Sequence, residues 1–459
     1  MDAYLEKLLS QIRCKKARPY IGEELRSHME SQIDDNMSAG MTREEAEKNA
    51  VEDMGDPVEV GISLDKIHKP RIAWKLLVIV GILSLLGILI QQSVLHRSAY
   101  MQLEPLMQEK YQLTLETFVS SVLFGFIIMC GIYLIDYTVI AKYAKVIGIC
   151  IIAMGFLAMT GLAGQYTNGE FLTIELGIFQ IPVRAVMMLY VPVYGAILYK
   201  YRDGGASALL KAAVWLVVPV FVMFRMPNLT GALIMMVSMQ IQLTTAILKG
   251  WFKVPVKRAI AGVWTVFTLL PVLLVTGMYT FHLLEAYQEA RIRAFFTASE
   301  EGYYLTSVLR AFQKDILLIG NSGNDVVGNL PGFNSDYIFS YILNSYGSIA
   351  GMLVIAALSA LVMFVFGSAV KQKNELGLIM GFGCGMIFAL NIVINLLGAV
   401  GVIPPAASFL PFLSAGRGNI LLSYALAGMI MSIYRYKDVY PKCPRKSRDF
   451  TLQRTEKSV

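Results

Sequence analysis

Long apolar segments recur along most of this chain, and they constrain its fold more than any other feature of the sequence. A helix needs roughly 20 apolar residues to cross the hydrocarbon core of a bilayer, and about ten segments meet that length. Because the backbone of such a segment must satisfy its own hydrogen bonds in lipid, we predict an all-α, polytopic membrane protein. The predicted spans are 74–95, 116–135, 142–164, 181–199, 207–224, 229–247, 258–282, 337–366, 376–400 and 407–435.

The composition indicates the same class of protein. Hydrophobic residues make up 56% of the chain and charged residues 16%, and the mean hydropathy is +0.56. A soluble domain is closer to half apolar and a quarter charged. Three basic residues intrude on the fourth, fifth and last predicted spans or on their edges, namely Arg184, Lys211 and Arg417.

The short connections between the predicted spans differ in their content of Lys and Arg. Every second connection is basic, as is the C-terminal tail, whereas the others carry few positive charges. Because positive residues stay on the cytoplasmic side, we predict that both termini are cytoplasmic and that the loop 284–336 is extracytoplasmic. The net charge of +7 then reflects contact with anionic lipid, and it does not indicate nucleic-acid binding. The basic connections contain Lys142, Lys145, Lys200, Arg202, Lys249, Lys253, Lys257, Arg258, Lys371 and Lys373.

Residues 1–70 form a separate unit ahead of the first predicted span. Apolar residues at helical spacing predict two amphipathic helices in the first half of this unit. Thr42 and Glu45 form a capping-box pattern for a third helix, which we expect to end at Gly55-Asp56-Pro57. We therefore predict a cytoplasmic three-helix domain, which resembles the small permease prefix domain of various bacterial membrane proteins. The predicted domains are this unit, the membrane region at 74–436 and a basic cytoplasmic tail at 437–459.

The cysteine and histidine residues do not predict a metal site. The five cysteines and four histidines are scattered along the chain without a CxxC pattern or another ligand spacing. The chain also lacks a Walker A loop and a GxGxxG pattern, so nothing indicates ATP-driven or nicotinamide chemistry. We predict no metal site and no resident cofactor, and leave open whether a divalent cation takes part.

A single carboxylate, Asp336, stands where the longest polar loop turns back into an apolar span. Because a carboxylate at the mouth of a membrane span is costly to desolvate, an acidic residue in this place indicates a functional site. The alternative is a helix cap, in which the side chain of Ser335 or Asp336 accepts hydrogen bonds from free backbone N–H groups. The two roles are compatible, and both stay open.

Two blocks of sequence resemble the signatures of the SEDS family, the shape, elongation, division and sporulation proteins. The first block, Leu330-Pro331 with Ser335-Asp336-Tyr337-Ile338-Phe339 and Gly347, is similar to the family's "LP…TDFIF…G". The second block lies within 391–416 and is similar to the family's "N-x-G…P-x-x-G-x-x-L-P-F-x-S-Y-G-G-S" ending. A weaker likeness lies at the start of the long outer loop. The likeness covers residues 75–436, and a large loop between the seventh and eighth spans is the family's layout.

The resemblance implies a glycosyltransferase that polymerises lipid II, a polyprenyl-diphosphate-linked sugar, at the outer face of the bacterial cytoplasmic membrane. It implies that Asp336 is the functional aspartate, which acts as a base for the attacking sugar hydroxyl or positions one. The implied partner is a class B penicillin-binding protein, a transpeptidase, in cell shape maintenance, division or sporulation. Basic side chains suit the leaving diphosphate, although each could instead reach lipid headgroups. The candidate substrate contacts are Arg291, Arg293, Arg310, Lys314, Arg417 and Ser414.

The sequence departs from the family pattern at several positions. Asn344-Ser345 stand in place of a glutamate pair, Arg184 in place of a glutamate and Asn228 in place of an aspartate. Two interpretations therefore remain: a divergent polymerase, or a non-catalytic membrane scaffold or lipid-handling protein of the envelope machinery. A secondary transporter fits less well, because the spans are almost free of the buried acidic residues that coupled transport needs.

Overall fold

Helices form nearly all of the regular structure, as the apolar segments predict. Contacts within the chain divide it into two compact units. The first unit contains Met1–Ile72, Lys371–Leu378 and the chain from Ile433 onwards, and the second contains Ala73–Val370 and Ile379–Ser432. The computed structural model describes residues 1–95, 105–160, 164–167, 170–176, 179–226, 228–282, 309, 312–313, 316–321, 327, 332–403 and 406–440.

The N-terminal residues form four helices, so the prediction of three is wrong. Thr42 begins its helix with the predicted capping box, in which Glu45 takes part. The Gly55-Asp56-Pro57 segment ends that helix and also begins a fourth. The Asp56 carboxylate accepts a hydrogen bond from the Glu59 N–H, and proline suits the first helical position. The four helices are α1 (Asp2–Ser10), α2 (Arg18–Ser38), α3 (Arg43–Asp53) and α4 (Pro57–His68).

The chain just after the last helix belongs to the same compact unit as these four helices. The Tyr20 ring on α2 meets the Tyr440 ring edge-on, with the centroids 5.7 Å apart. The Nδ1 atom of His68 lies 2.6 Å from the Asp438 carbonyl oxygen. This segment therefore packs on the N-terminal domain, while the rest of the predicted basic tail, 441–459, lies outside the described residues.

Among the described residues, seven helical spans are long and apolar enough to cross a membrane: Trp74–Val94, Thr114–Leu134, Val183–Lys200, Ala206–Arg225, Leu229–Leu248, Ser348–Val370 and Glu375–Ala399. The helices that follow the N-terminal domain are, in chain order, α5 (Trp74–Leu95), α6 (Pro105–Leu134), α7 (Tyr137–Lys142), α8 (Ala144–Met159), α9 (Val183–Met188), α10 (Tyr190–Lys200), α11 (Ala206–Arg225), α12 (Leu229–Leu248), α13 (Val256–Trp264), a π-helix (Thr265–Leu269), α14 (Leu270–Thr280), α15 (Ile338–Tyr346), α16 (Ser348–Val370), α17 (Glu375–Ala399) and α18 (Arg417–Arg435).

Several of the predicted spans differ from a single long helix. The segment 258–282 contains α13 and α14 with the π-helix between them. The segment 337–366 is divided into α15 and α16 at Gly347, whose φ of 86° does not continue a helix. The segment 407–435 is helical only from Arg417 onwards. The non-helical segment 406–416 packs against the Asp336 turn, because the Ala415 N–H donates to the Asn334 carbonyl.

A small antiparallel sheet precedes α9, and the sequence did not predict it. The strands pair in chain order, with Ile174 opposite Gly164 on one side and Ile181 on the other. Ile174 is buried at 2% exposure, as expected for the apolar member of an alternating strand. The strands are β1 (Gly164–Thr167), β2 (Glu170–Leu176) and β3 (Phe179–Pro182).

Candidate active site

Asp336 lies in a turn, residues 332–337, that leads directly into α15. The N–H groups of Ser335 and Tyr337 donate to the Gly332 carbonyl at 3.0 and 3.1 Å. The N-cap residue of α15 is Tyr337, which makes no side-chain capping bond. The N-cap position is therefore Tyr337, not the predicted Ser335 or Asp336. The functional role of Asp336, which is half-buried, stays a prediction.

The Asn334 carbonyl, two residues before Asp336, accepts two hydrogen bonds from outside its own turn. The Ala415 N–H donates at 2.8 Å, and Nε2 of Gln91 donates at 3.0 Å. The Gln91 side chain lies on α5, is 3% exposed, and also donates at 3.0 Å to the Leu413 carbonyl. One buried amide thus joins α5 to both backbone segments of the site.

Ser414 fixes the next carbonyl along the chain. Its hydroxyl is 1% exposed, donates to the Ser335 carbonyl at 2.8 Å and accepts from the Leu410 N–H at 2.8 Å. In the same turn, the Phe412 ring packs edge to face against the Tyr424 ring, with the two ring centroids 5.1 Å apart. Ser414 therefore positions backbone, and its predicted contact with substrate stays a prediction.

The third consecutive carbonyl, that of Asp336 itself, is held by α17. The Nδ2 atom of Asn395 donates to it at 2.7 Å and to the Ser408 carbonyl at 3.1 Å. Asn391 lies one turn earlier on the same helix and donates at 2.9 Å to the Ile387 carbonyl of its own helix. Of these two asparagines in the C-terminal motif, only Asn395 bonds to the aspartate segment.

Two arginines flank the segment 406–416, which packs against the Asp336 turn. Nη2 of Arg184, on α9, donates at 2.8 Å to the Ala407 carbonyl. Arg417 is exposed and begins α18. A Cβ atom at Gly418 would lie 2.9 Å from Cβ of Pro182, so the starts of α18 and α9 are in close contact. The two arginines therefore belong to adjoining elements, and the predicted contact of Arg417 with substrate stays a prediction.

The other four predicted contacts, Arg291, Arg293, Arg310 and Lys314, lie outside the described residues and stay predictions. Within the part of the chain that the structure describes, no three His, Cys, Asp or Glu side chains form a group that could hold a metal ion. The part played by a divalent cation stays open.

The sequence interpretation missed Gln91, and it treated Arg184 only as a departure from the family pattern. A usable signal existed for Gln91, because a glutamine within an apolar span is costly unless its amide is paired. The partners of that amide could not be read from the sequence, since they lie 243 and 322 positions away.

Comparison with known proteins places this arrangement in a family. Residues 73–439 match the FtsW/RodA/SpoVE family, described as "Cell cycle protein". The chain is 24% identical over 303 residues to a probable peptidoglycan glycosyltransferase FtsW of Aliivibrio salmonicida. That alignment covers 63% of this chain and 72% of the relative.

Solved structures share the fold. One is described as "Structural coordination of polymerization and crosslinking by a peptidoglycan synthase complex". It superposes with a TM-score of 0.63 at 18% identity, over 81% of this chain and 99% of its own. The rod shape determining protein RodA of Thermus thermophilus superposes with a TM-score of 0.55 at 15% identity, over 80% of this chain and 98% of its own. The spans and these matches make the chain a multi-pass membrane protein of bacterial type. Since the family match covers most of its length, the chain belongs to the FtsW/RodA/SpoVE family of cell cycle proteins.

Proposed function

We propose that this protein polymerises lipid II as a peptidoglycan glycosyltransferase, with Asp336 at its catalytic centre. The observation that carries the proposal is the fixing of three successive carbonyls, at residues 334, 335 and 336, by α5, the Ser414 turn and α17. A loop that only connects two spans does not need such restraint. Glycosyl transfer does, because a reacting group must be held close to its productive geometry.

The chemistry assigns a distinct task to the carboxylate. The acceptor sugar hydroxyl forms a bond to the anomeric carbon of the donor, while the bond from that carbon to the diphosphate oxygen breaks. The hydroxyl proton passes to the Asp336 carboxylate or to a base that Asp336 positions. The diphosphate leaves with the electron pair of the broken bond, so its charge needs a cation close by.

Arginine side chains are the proposed contacts for that leaving group. Arg417 and Arg184 flank the segment 406–416, and a guanidinium can form paired hydrogen bonds to diphosphate oxygens. The loop residues Arg291, Arg293, Arg310 and Lys314 would add to this charge from the outer loop. Arg184 stands where the family has a glutamate, so this protein would hold the diphosphate with an additional positive charge.

The deciding experiment replaces Asp336 with Asn and measures lipid II polymerisation by the purified full-length protein. Asn keeps the size of the side chain but is not a base, and loss of a general base typically lowers rate about 10²–10⁴-fold. We expect the variant to be abundant in the membrane and inactive. The control is Asp325→Asn, in the same predicted outer loop but outside the motif, which should retain activity.

The alternative function makes the opposite prediction. If Asp336→Asn supports normal glycan synthesis, or fully complements a deletion, the aspartate is not catalytic. The replaced family acids, such as Asn228 and Asn344, would then favour a non-catalytic scaffold or lipid-handling protein of the envelope machinery. Wild-type protein that binds lipid II without polymerising it would favour the same alternative.

A transpeptidase of the class B penicillin-binding type is the proposed partner. The similar solved structure described as a peptidoglycan synthase complex couples polymerisation with crosslinking, and glycan strands require both reactions. Co-purification of a tagged form of this protein from its native membrane tests the pairing. Recovery of a class B penicillin-binding protein supports it, and recovery of the protein without one contradicts it.

The proposed orientation places both termini in the cytoplasm and the loop 284–336 outside. It follows from the Lys and Arg content of the short connections. A cysteine introduced at Asn324 should react with a membrane-impermeant thiol reagent in intact cells. Labelling only after lysis would show the opposite topology, in which Asp336 faces the cytoplasm, the wrong side for lipid II polymerisation.

A further inference from the structure

Three inter-helix connections of the membrane unit are in contact with each other: α7–α8, α10–α11 and α12–α13. All three precede the Asp336 turn in the sequence. Nζ of Lys200, at the end of α10, donates at 2.6 Å to the Lys142 carbonyl, at the end of α7. The Lys253 N–H donates at 2.8 Å to the Gly204 carbonyl, which joins the α10–α11 connection to the α12–α13 connection. These two contacts join the three short connections into one surface.

A cluster of three lysines, Lys142, Lys145 and Lys200, lies on this surface. The Lys145 ammonium stands 4.5 Å from the centroid of the Tyr201 ring, and Tyr201 directly follows Lys200 in the chain. Within the described residues, none of the three lysines pairs with a carboxylate. The nearby Asp203 lies 3.5 Å from Arg202 instead. Because no carboxylate among the described residues compensates these positive charges, the cluster suits an external anion.

Aromatic side chains hold this cluster in place. Nε1 of Trp215 donates at 3.0 Å to the hydroxyl of Tyr201, which fixes the ring beneath Lys145. The ring of Tyr199, on α10, meets the ring of Trp251, in the α12–α13 connection, edge-on with their centroids 5.3 Å apart. Tyrosine and tryptophan concentrate at the level of the lipid headgroups, so the lysine cluster lies at that depth.

An apolar surface runs from the cluster along two helices that begin beside it. Val146 and Ile149 on α8 are 60% and 57% exposed, and Leu210 and Val214 on α11 are 68% and 54% exposed. The two helices are in contact, because a Cβ atom at Gly148 would lie 3.5 Å from the Trp215 ring. The surface thus continues from positive charge to mainly apolar side chains within the first three turns of the two helices, with the exposed Lys211 between Leu210 and Val214.

We propose that this surface is a binding site for an anionic phospholipid. The phosphodiester of the headgroup contacts Lys142, Lys145 and Lys200, and an acyl chain lies along the exposed residues of α8 and α11. A soluble phosphate ester offers the same charge but no chain to cover the apolar surface. The short connections here are also those whose Lys and Arg content predicts the cytoplasmic face, where anionic lipid is encountered.

Native mass spectrometry of the purified full-length protein, titrated with phosphatidylglycerol, tests this site. The variant Lys145→Gln/Lys200→Gln should bind about thirty-fold more weakly, at about five-fold for each lysine near an anionic headgroup. The matched control, Lys249→Gln/Lys257→Gln, removes the same charge from the same end of the protein and should bind as the wild type does. Equal affinity of the wild type and the first variant, or equal losses in both variants, would overturn the proposal.

Two further ligands identify what the site recognises. Phosphatidylcholine has the same chains without net negative charge, and we expect it to bind wild type as weakly as phosphatidylglycerol binds the first variant. Glycerol 3-phosphate has the charge without chains and should not compete at the lipid concentrations used. Phosphatidylcholine binding as tightly as phosphatidylglycerol would remove the role of charge. Equal competition by glycerol 3-phosphate would make this a site for free phosphate esters and refute the lipid assignment.

Discussion

The side-chain amide of Asn395 donates a hydrogen bond of 2.7 Å to the backbone carbonyl of Asp336. The same nitrogen also reaches the Ser408 carbonyl at 3.1 Å, so one side chain of α17 bridges the two segments that form the site. Movement of α17 would therefore move the backbone of the aspartate.

The first prediction concerns this bridge. Asn395→Ala removes the amide nitrogen that makes both hydrogen bonds, so the Asp336 carbonyl loses its contact with α17. A small displacement of a reacting group can cost about 100-fold in rate, so we expect polymerisation to fall about 10- to 100-fold. The fold should lose only about 1–2 kcal/mol. The control is Asn391→Ala, one turn away on the same helix, whose amide bonds within that helix. Equal losses of activity in the two variants would contradict the positioning role of Asn395.

The second prediction concerns the buried amide on α5. Gln91→Leu keeps the approximate volume of the side chain but removes its two hydrogen bonds. The Leu413 carbonyl then has no side-chain donor, and the Asn334 carbonyl keeps only the bond from the Ala415 N–H of the two described above. Loss of these bonds should destabilise the protein by about 1–3 kcal/mol. We also expect a lower kcat with little change in KM, because Gln91 positions the site and does not touch substrate. Gln92→Leu is the matched control, since Gln92 is exposed. A change in KM alone would show that Gln91 contacts the substrate instead.

The fold class could be predicted because the determining signals are local. Apolar segments long enough to cross a bilayer stand out without knowledge of their neighbours. The capping box of Thr42 and Glu45 was also predictable, because its two residues are three positions apart. The same local reasoning failed at Asp56. Gly-Asp-Pro both ends one helix and begins the next, and the sequence interpretation used only the first meaning.

The aspartate could be found from the sequence, but its surroundings could not. Asp336 is unusual at the mouth of a span, and a family motif contains it. The bonds that hold the backbone around it join residues 59 to 243 positions apart, and no periodic pattern encodes such pairs. The division between α15 and α16 was also not predicted, because the segment 337–366 contains no charged residue to mark it. Gly347, with polar residues on both sides, was a local signal for a helix end that the sequence interpretation did not use.

The third prediction concerns an ion pair in the N-terminal domain. Arg13 bonds to Asp65 through its backbone N–H and Nε, each at 2.8 Å, and the side chain of Asp65 is 8% exposed. These hydrogen bonds from Arg13, together with its charge, lower the pKa of the Asp65 carboxyl below its usual value of 3.8. Asp65→Asn should therefore destabilise α4 by about 1–2 kcal/mol at neutral pH, since the guanidinium of Arg13 is largely exposed.

Hydrogen exchange of the α4 amides in the full-length protein measures this effect. A carboxyl whose pKa is lowered on folding contributes its stability above the unfolded pKa and loses it as the pH falls through the folded value. The wild type should exchange more slowly than Asp65→Asn at neutral pH, and the difference should shrink below about pH 4. Asp34→Asn, an exposed aspartate on α2, is the control. A difference that stays constant down to pH 2 would show that the charge of Asp65 does not contribute.

The fourth prediction concerns the glycine that separates α15 from α16. Gly347 has a φ of 86° and a ψ of 177°, a conformation that costs other residues about 1–3 kcal/mol. An added Cβ atom would also lie 2.7 Å from the Leu318 carbonyl oxygen and 2.9 Å from the Ile319 Cα, both of them backbone atoms. Because α15 follows directly after Asp336, Gly347→Ala should displace the site, lowering both the yield of folded protein and the polymerisation rate.

Gly367→Ala on α16 is the matched control for this change. Gly367 lies inside the helix, and an added Cβ would have no atom within 4 Å. Alanine is favoured over glycine in a helix by about 1 kcal/mol, so this variant should be slightly more stable than the wild type and equally active. Thermal unfolding and lipid II polymerisation, measured on both variants, test the prediction. Equal stability and activity of Gly347→Ala and Gly367→Ala would show that α15 and α16 tolerate a continuous helix, and that the break at Gly347 does not determine where Asp336 lies.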